Sequence, residues 1–187
     1  MSLKLAISDT CFIIDWAYYR RRSILTEIFK TILVPEQVLA EIEDEKSISW
    51  VSAQLAKGNM LLFTPSPLDL RKAEELVLKI SSKPFLRKVD LPEAICLVVG
   101  QRLNAIVLTE NRGALLATRT LSELKNVVVW RALEVLTEAI IRKTIKVKKR
   151  EDVERVFREY ENDTKHIFPR SDLKYAIDKV IKCLKLK

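Results

Sequence analysis

Four places in the chain carry acids whose type and spacing could do chemistry: Asp9, Glu41, Asp90 or Glu93, and Glu110 followed by Asn111. Each falls just after a short apolar run or near the start of a helical one, where an open α/β sheet gathers its ligand-binding residues. Carboxylates crowded at one sheet edge repel one another unless a cation neutralises them. An oxygen-rich set of this kind suits Mg²⁺ or Mn²⁺ with part of its water shell retained. Such ions activate a water and stabilise the leaving oxygen in phosphodiester cleavage. Any one of these acids would serve equally well as a helix cap or a lysine partner. The coincidence of four at one expected edge favours the cation.

Composition removes competing chemistries. The three glycines, Gly58, Gly100 and Gly113, form no phosphate-cradling repeat, so neither a dinucleotide fingerprint nor a P-loop can be written. A single histidine, His166, leaves histidine-ligated zinc and Ser-His-Asp catalysis without support, and reads as a surface or tail-packing residue. Cys11, Cys96 and Cys183 are odd in number, far apart and in apolar contexts, which reads as buried thiols rather than a disulfide framework. No apolar run reaches membrane-span length, and the expectation is a cytoplasmic protein without membrane association.

The elements that must position the acids follow from periodicity. Leu5 to Ile7 is an apolar run without helical phasing, as a central strand covered on both faces requires, and it delivers Asp9 to the following turn. Helices are expected over Cys11–Tyr19 and Ile24–Lys30, then a strand at Thr31–Val34 ended by Pro35. A helix over Glu36–Glu45 carries Glu41 beside its apolar stripe. Ser47–Lys57 forms the next helix with Gly58 beyond it, and Met60–Phe63 is a third strand. After a helix at Leu68–Ile80, the segment DLPEA starts another, with Asp90 as cap, Pro92 in the first turn and Glu93 at the positive end of the dipole. Ala105–Leu108 and Val127–Trp130 are strands, each followed by a helix, at Arg112–Leu121 and Ala132–Arg142. Strands alternating with helices predict an α/β fold of three layers, α/β/α, on a mainly parallel sheet of about five strands.

Residues 1–142 are expected to form the catalytic domain and 143–187 a basic helical C-terminal extension. Of the net charge of +8, the stretch 142–187 carries +7, from 15 Lys or Arg against 8 Asp or Glu. Lys146, Lys148, Lys149 and Arg150 are the candidates for contact with a polyanion such as nucleic acid, although a solvated lysine face gives the same count. Trp16, Tyr18 and Tyr19 beside Arg20–Arg22 suit stacking on unpaired bases, or equally a buried helix face or a dimer contact.

The segments ISDTCFIIDW, ILVPEQVLAEI, VDLPEAICLVVGQRLNA and IVLTENRGALLA together resemble the PIN-domain family of metal-dependent nucleases, most of all stand-alone archaeal and bacterial members. The resemblance implies Asp9 as first metal ligand, Glu41 as second acid and Asp90 as third, with Glu93 competing for that place. It implies Thr109 as the hydroxyl that supports the site. It departs at Asn111, where the family usually carries Asp. Asn offers an oxygen without charge, so metal affinity falls unless Glu110 takes over. The implied function is a ribonuclease cutting single-stranded RNA with Mg²⁺ or Mn²⁺, a toxin paired with an antitoxin protein, and a homodimer. The alternative is a catalytically impaired PIN-like RNA-binding or regulatory protein.

Overall fold

A computed structural model describes residues 3–186. Five strands, β1 (Leu3–Ser8), β2 (Phe29–Pro35), β3 (Met60–Phe63), β4 (Ile106–Leu108) and β5 (Val129–Trp130), form one sheet in the order β3-β2-β1-β4-β5. Every adjacent pair is parallel. Ala6, Ile7, Ile32, Val34, Val107 and Leu108 are buried, as strands covered on both faces require. The chain leaves β1 toward β2 and β3 and later returns on its other side as β4. The crevice therefore opens where β1 and β4 end side by side.

Helices flank the sheet: α1 (Thr10–Tyr18), α2 (Ile24–Ile28), α3 (Glu36–Ala40), α4 (Glu45–Ala56), α5 (Pro67–Ser81), α6 (Leu91–Leu103), α7 (Arg112–Thr120), α8 (Ala132–Ile141), α9 (Arg150–Thr164) and α10 (Arg170–Leu184). The helix expected over Glu36–Glu45 ends at Ala40. Glu41 N–H and Ile42 N–H bond back three residues rather than four, closing a tight last turn, and the Asp44 side chain then accepts from Ser47 N–H to start α4. The helix expected through Lys30 stops at Ile28, because Phe29 joins β2. Gly58 lies just past α4 with φ +70°, the left-handed C-terminal position that glycine fills without strain. The cysteines are free, but only Cys96 is buried; Cys11 on α1 and Cys183 on α10 are exposed.

The C-terminal helices dock on the sheet domain. Contacts join α10 to α8, and α9 to both α1 and α8. Tyr160 of α9 stands within 5.6 Å of Trp16 and 5.1 Å of Tyr19, ring centre to ring centre, and stacks on Phe168 at 5.4 Å. Arg20 donates through its guanidinium to both Asp163 carboxylate oxygens, and its backbone N–H donates to one of them. The basic turn Arg20–Arg22 is thus partly spent on holding α9. Among the described residues no helix is long and apolar enough to cross a membrane.

Candidate active site

Asp9 follows β1 directly and caps α1, its Oδ1 accepting from Phe12 N–H at 2.9 Å. Its own N–H donates to Leu108 O, which ties it to the end of β4. The other oxygen, Oδ2, is buried without a hydrogen-bond partner. Burial pushes the Asp9 carboxyl up to about 7, against the pull of the Thr109 hydroxyl and Phe12 N–H, and the Glu93 and Glu110 charges add to the rise. A buried acid with one orphaned oxygen and two acids within electrostatic reach has the surroundings of a cation ligand.

The start of α6 decides which of its two acids meets Asp9. Asp90 is exposed and pairs with Lys88 Nζ at 2.6 Å. Glu93, one turn on, bends back so that Oε2 accepts from Asp90 N–H at 3.1 Å while Oε1 accepts from Asn111 Nδ2 at 3.1 Å. Glu93 therefore joins the Asp9 side of the crevice. Glu41, exposed at the end of α3, is held from the opposite side by the Thr10 hydroxyl, which donates to Oε2 at 2.6 Å. The buried Cys96 thiol is raised first by burial and then by Asp9, Glu93 and Glu41, so these three acids converge on one region.

Thr109 is buried at the end of β4, and its Oγ1 accepts from Asn111 N–H at 2.9 Å. Asn111 then caps α7: its Oδ1 accepts from Gly113 N–H at 2.7 Å and Ala114 N–H at 3.2 Å. A Cβ on Gly113 would meet Lys88 O at 2.4 Å, so only glycine lets α7 start this close to the 87–88 backbone. With its oxygen committed to the helix, Asn111 presents only its amide N–H to Glu93. A neutral donor thus stands where a cation would otherwise relieve the charge.

Glu110 turns away from this group. Its Oε1 accepts from Ala132 N–H at the start of α8, at 2.7 Å, and His166 Nε2 lies 3.2 Å from Oε2 as an ion pair. Burial pushes Glu110 up to about 7, opposed mainly by His166. His166 Nδ1 in turn lies 3.3 Å from Asp15, whose hydrogen bond raises the imidazole above its ordinary range. This Asp15–His166–Glu110 bridge was missed in the sequence, where nothing local to His166 marks it. Asp15 and Thr10 both lie in the opening segment but carried no signal beyond it.

His166→Ala is expected to cost about 1–2 kcal/mol at pH 6, since it removes the charged group that pairs with Asp15 and bridges it to Glu110. The sign with pH follows from the raised imidazole: its contribution is complete below about 6.5, its unfolded value, and fades as pH rises through the folded one. Thermal melts at pH 6 and pH 9 check this, and an equal loss at both would contradict the bridge.

In the basic segment, Lys149 Nζ lies 3.7 Å from Glu151, and Arg150 reaches Glu154 at 2.9 Å and Asp178 at 3.5 Å. Among the described residues Lys146 and Lys148 have no side-chain ion-pair partner, unlike Lys149 and Arg150. Among the described residues no three His, Cys, Asp or Glu side chains approach closely enough to cage a metal ion. Mg²⁺ rarely needs a full cage, since one or two carboxylates with retained waters hold it. Asp9 and Glu93, with the orphaned Asp9 Oδ2, fit that weaker mode.

The parallel sheet, with strand order reversing between β1 and β4, defines the class as an open α/β protein with acids near those strand ends. A family model for PIN domains (DUF3368) matches residues 5–170, and the chain belongs to the PIN-domain family. The solved structures it resembles include the VapBC2 complex from Rickettsia felis bound to a DNA fragment from its promoter. That likeness has 15% identity and a TM-score of 0.47, over 68% of this chain and 98% of the other. None of the curated proteins compared with the chain matches it.

Proposed function

We propose that the protein is a divalent-metal-dependent ribonuclease acting on single-stranded RNA in the cytoplasm, as the toxin of a pair with an antitoxin protein. The observation that carries the reading is Asp9, a buried carboxylate with one oxygen unpartnered and Glu93 close enough to raise its proton affinity. Asp9 and Glu93 would hold Mg²⁺ or Mn²⁺ with its remaining waters, and Glu41 flanks the same region. A bound ion would supply an activated water and neutralise charge on the departing oxygen. The chain's own residues prepare the place. Phe12 N–H orients Asp9, Asp90 N–H and the Asn111 amide orient Glu93, and Thr10 orients Glu41. Glu110, anchored at α8, contributes charge from a distance. Lys146 and Lys148 are the tail positions left to meet phosphate. The test is cleavage of an end-labelled single-stranded oligoribonucleotide with Mg²⁺ or Mn²⁺. Cleavage that persists in excess chelator would sink the mechanism.

A second reading, an RNA-binding or regulatory protein without turnover, is favoured by one specific contact. The Asn111 amide satisfies Glu93 without any cation. Calorimetry with Mn²⁺ separates the two readings without knowledge of the RNA target.

A further inference from the structure

The excess positive charge of the chain has a second location besides the tail. A groove of about 440 Å³ lies between α2, α4 and the start of β3, and Arg22, Lys46 and Lys57 line it together with the hydroxyls of Ser23, Thr26 and Ser49. Among the described residues no acid lines it, and none of the three cations forms a close ion pair, although Lys46 acts on Asp163 from a distance; Arg20 and Arg21 beside them are taken up by Asp163 and Glu159. The buried Trp50 also lines the groove. Arg22 is fixed by donating to Ala17 O at 2.8 Å and the Thr26 hydroxyl is spent on Ser23 O, so Lys46 and Lys57, with Arg22 behind them and Ser23 and Ser49 beside them, form the site for an extended polyanion.

The groove also leads toward the acids. Lys46 at its edge lies over the Tyr18 ring, 4.0 Å from the centroid. Tyr18 is 40% exposed and lines, with Glu41, Asp15 and Asp44, the neighbouring pocket of about 600 Å³ on the crevice side. That neighbour is lined mainly by acids, so phosphates are held on the Lys46 side and repelled on the other. Lys46 covers one face of the ring and Asp44 accepts from its hydroxyl, so the exposed remainder of this fixed aromatic is what an unpaired base can stack on.

We propose that the groove of Arg22, Lys46 and Lys57 holds the phosphodiester backbone of single-stranded RNA, with Tyr18 as the stacking platform between it and the acidic crevice. The choice of RNA rests on the ribonuclease reading. Two arms keep the failures apart: RNA binding is measured in chelator, where no cleavage occurs, and cleavage is measured separately.

The probe is a fluorescein-labelled single-stranded oligoribonucleotide, followed by anisotropy across a salt series. The Lys46→Ala/Lys57→Ala variant is expected to bind about tenfold more weakly near 0.1 M salt, with the log-log salt slope reduced by about 1.4, or about 0.7 per lost contact. Lys174→Ala/Lys182→Ala, which removes the same charge from exposed positions on α10, is expected to leave the slope unchanged. An unchanged slope in the groove variant overturns the proposal, as does an equal loss in the α10 variant. Displacement of the RNA by poly-glutamate as effectively as by unlabelled RNA would also overturn it, and assign the groove to an acidic protein segment. A parent protein that binds through the groove but never cuts ends the ribonuclease reading alone.

Discussion

Asp9→Asn is expected to lower metal-dependent RNA cleavage by at least about 100-fold, since changing even groups that only support metal ligands costs about 10–100-fold. The same change is expected to stabilise the metal-free protein at neutral pH. The two effects have one cause. Asn still accepts from Phe12 N–H, so the α1 cap survives, but the uncompensated buried charge is gone. The Asp9 carboxyl lies at about 7 in the fold against 3.8 for the ordinary side chain. A raised acid contributes stability that is complete below the unfolded value and is lost as pH climbs through the folded one. Without metal, the parent should therefore lose stability between about pH 4 and pH 7 and then level off. The loss is on the order of 4 kcal/mol at most, and the variant should lack this component. Chemical denaturation in chelator at pH 5 and pH 8 measures it. Cleavage that survives the substitution would remove Asp9 from the catalytic group. An unchanged pH slope would mean that its burial carries no charge penalty.

That combination of lost activity and gained stability is what a functional residue held against its own preference predicts. It also explains which parts of the molecule were legible in the sequence. The strands were readable because parallel strands buried on both faces need unbroken apolar runs, and Ile7 and Val107 lie in such runs. The start of α6 was readable because Asp90 and Pro92 are favoured by the local backbone. Which of Asp90 and Glu93 faces the crevice was not, because both lie near the same helix end. In the fold Lys88 pairs with Asp90, and Asn111 donates to Glu93. Contacts of that kind arise only after folding. Charge counting has the same blindness: it placed the basic surface in the tail, where Arg150 is answered by Glu154 and Asp178, and could not see that the groove beside α4 has no acid. Periodicity likewise carried α3 past Ala40, since it does not register that Asp44 opens a new helix.

Asn111→Asp tests whether the departure from the family pattern weakens the site. Asp caps helices as well as Asn, so Gly113 and Ala114 N–H keep their acceptor and α7 stays in place. What disappears is the amide donation to Glu93 at 3.1 Å, replaced by carboxylate against carboxylate. In chelator the variant should therefore be less stable than the parent by about 1–2 kcal/mol, the cost of a lost hydrogen bond with like charges in its place. With Mn²⁺ the sign reverses. A third anionic oxygen beside Asp9 and Glu93 should tighten the ion by about tenfold or more and raise any cleavage rate, because a hard divalent ion gives up water only for charged oxygen. Glu110→Gln is the control. Glu110 is anchored on Ala132 N–H and His166 and acts on Asp9 only from a distance, so Glu110→Gln should change metal affinity less than Asn111→Asp does. Calorimetric Mn²⁺ titration of the three proteins, with melts in chelator, separates these effects. Should Asn111→Asp melt lower without metal yet bind Mn²⁺ no better, Glu93 and residue 111 meet only as structural neighbours. If the parent also binds no metal, the ribonuclease reading gives way to the RNA-binding one.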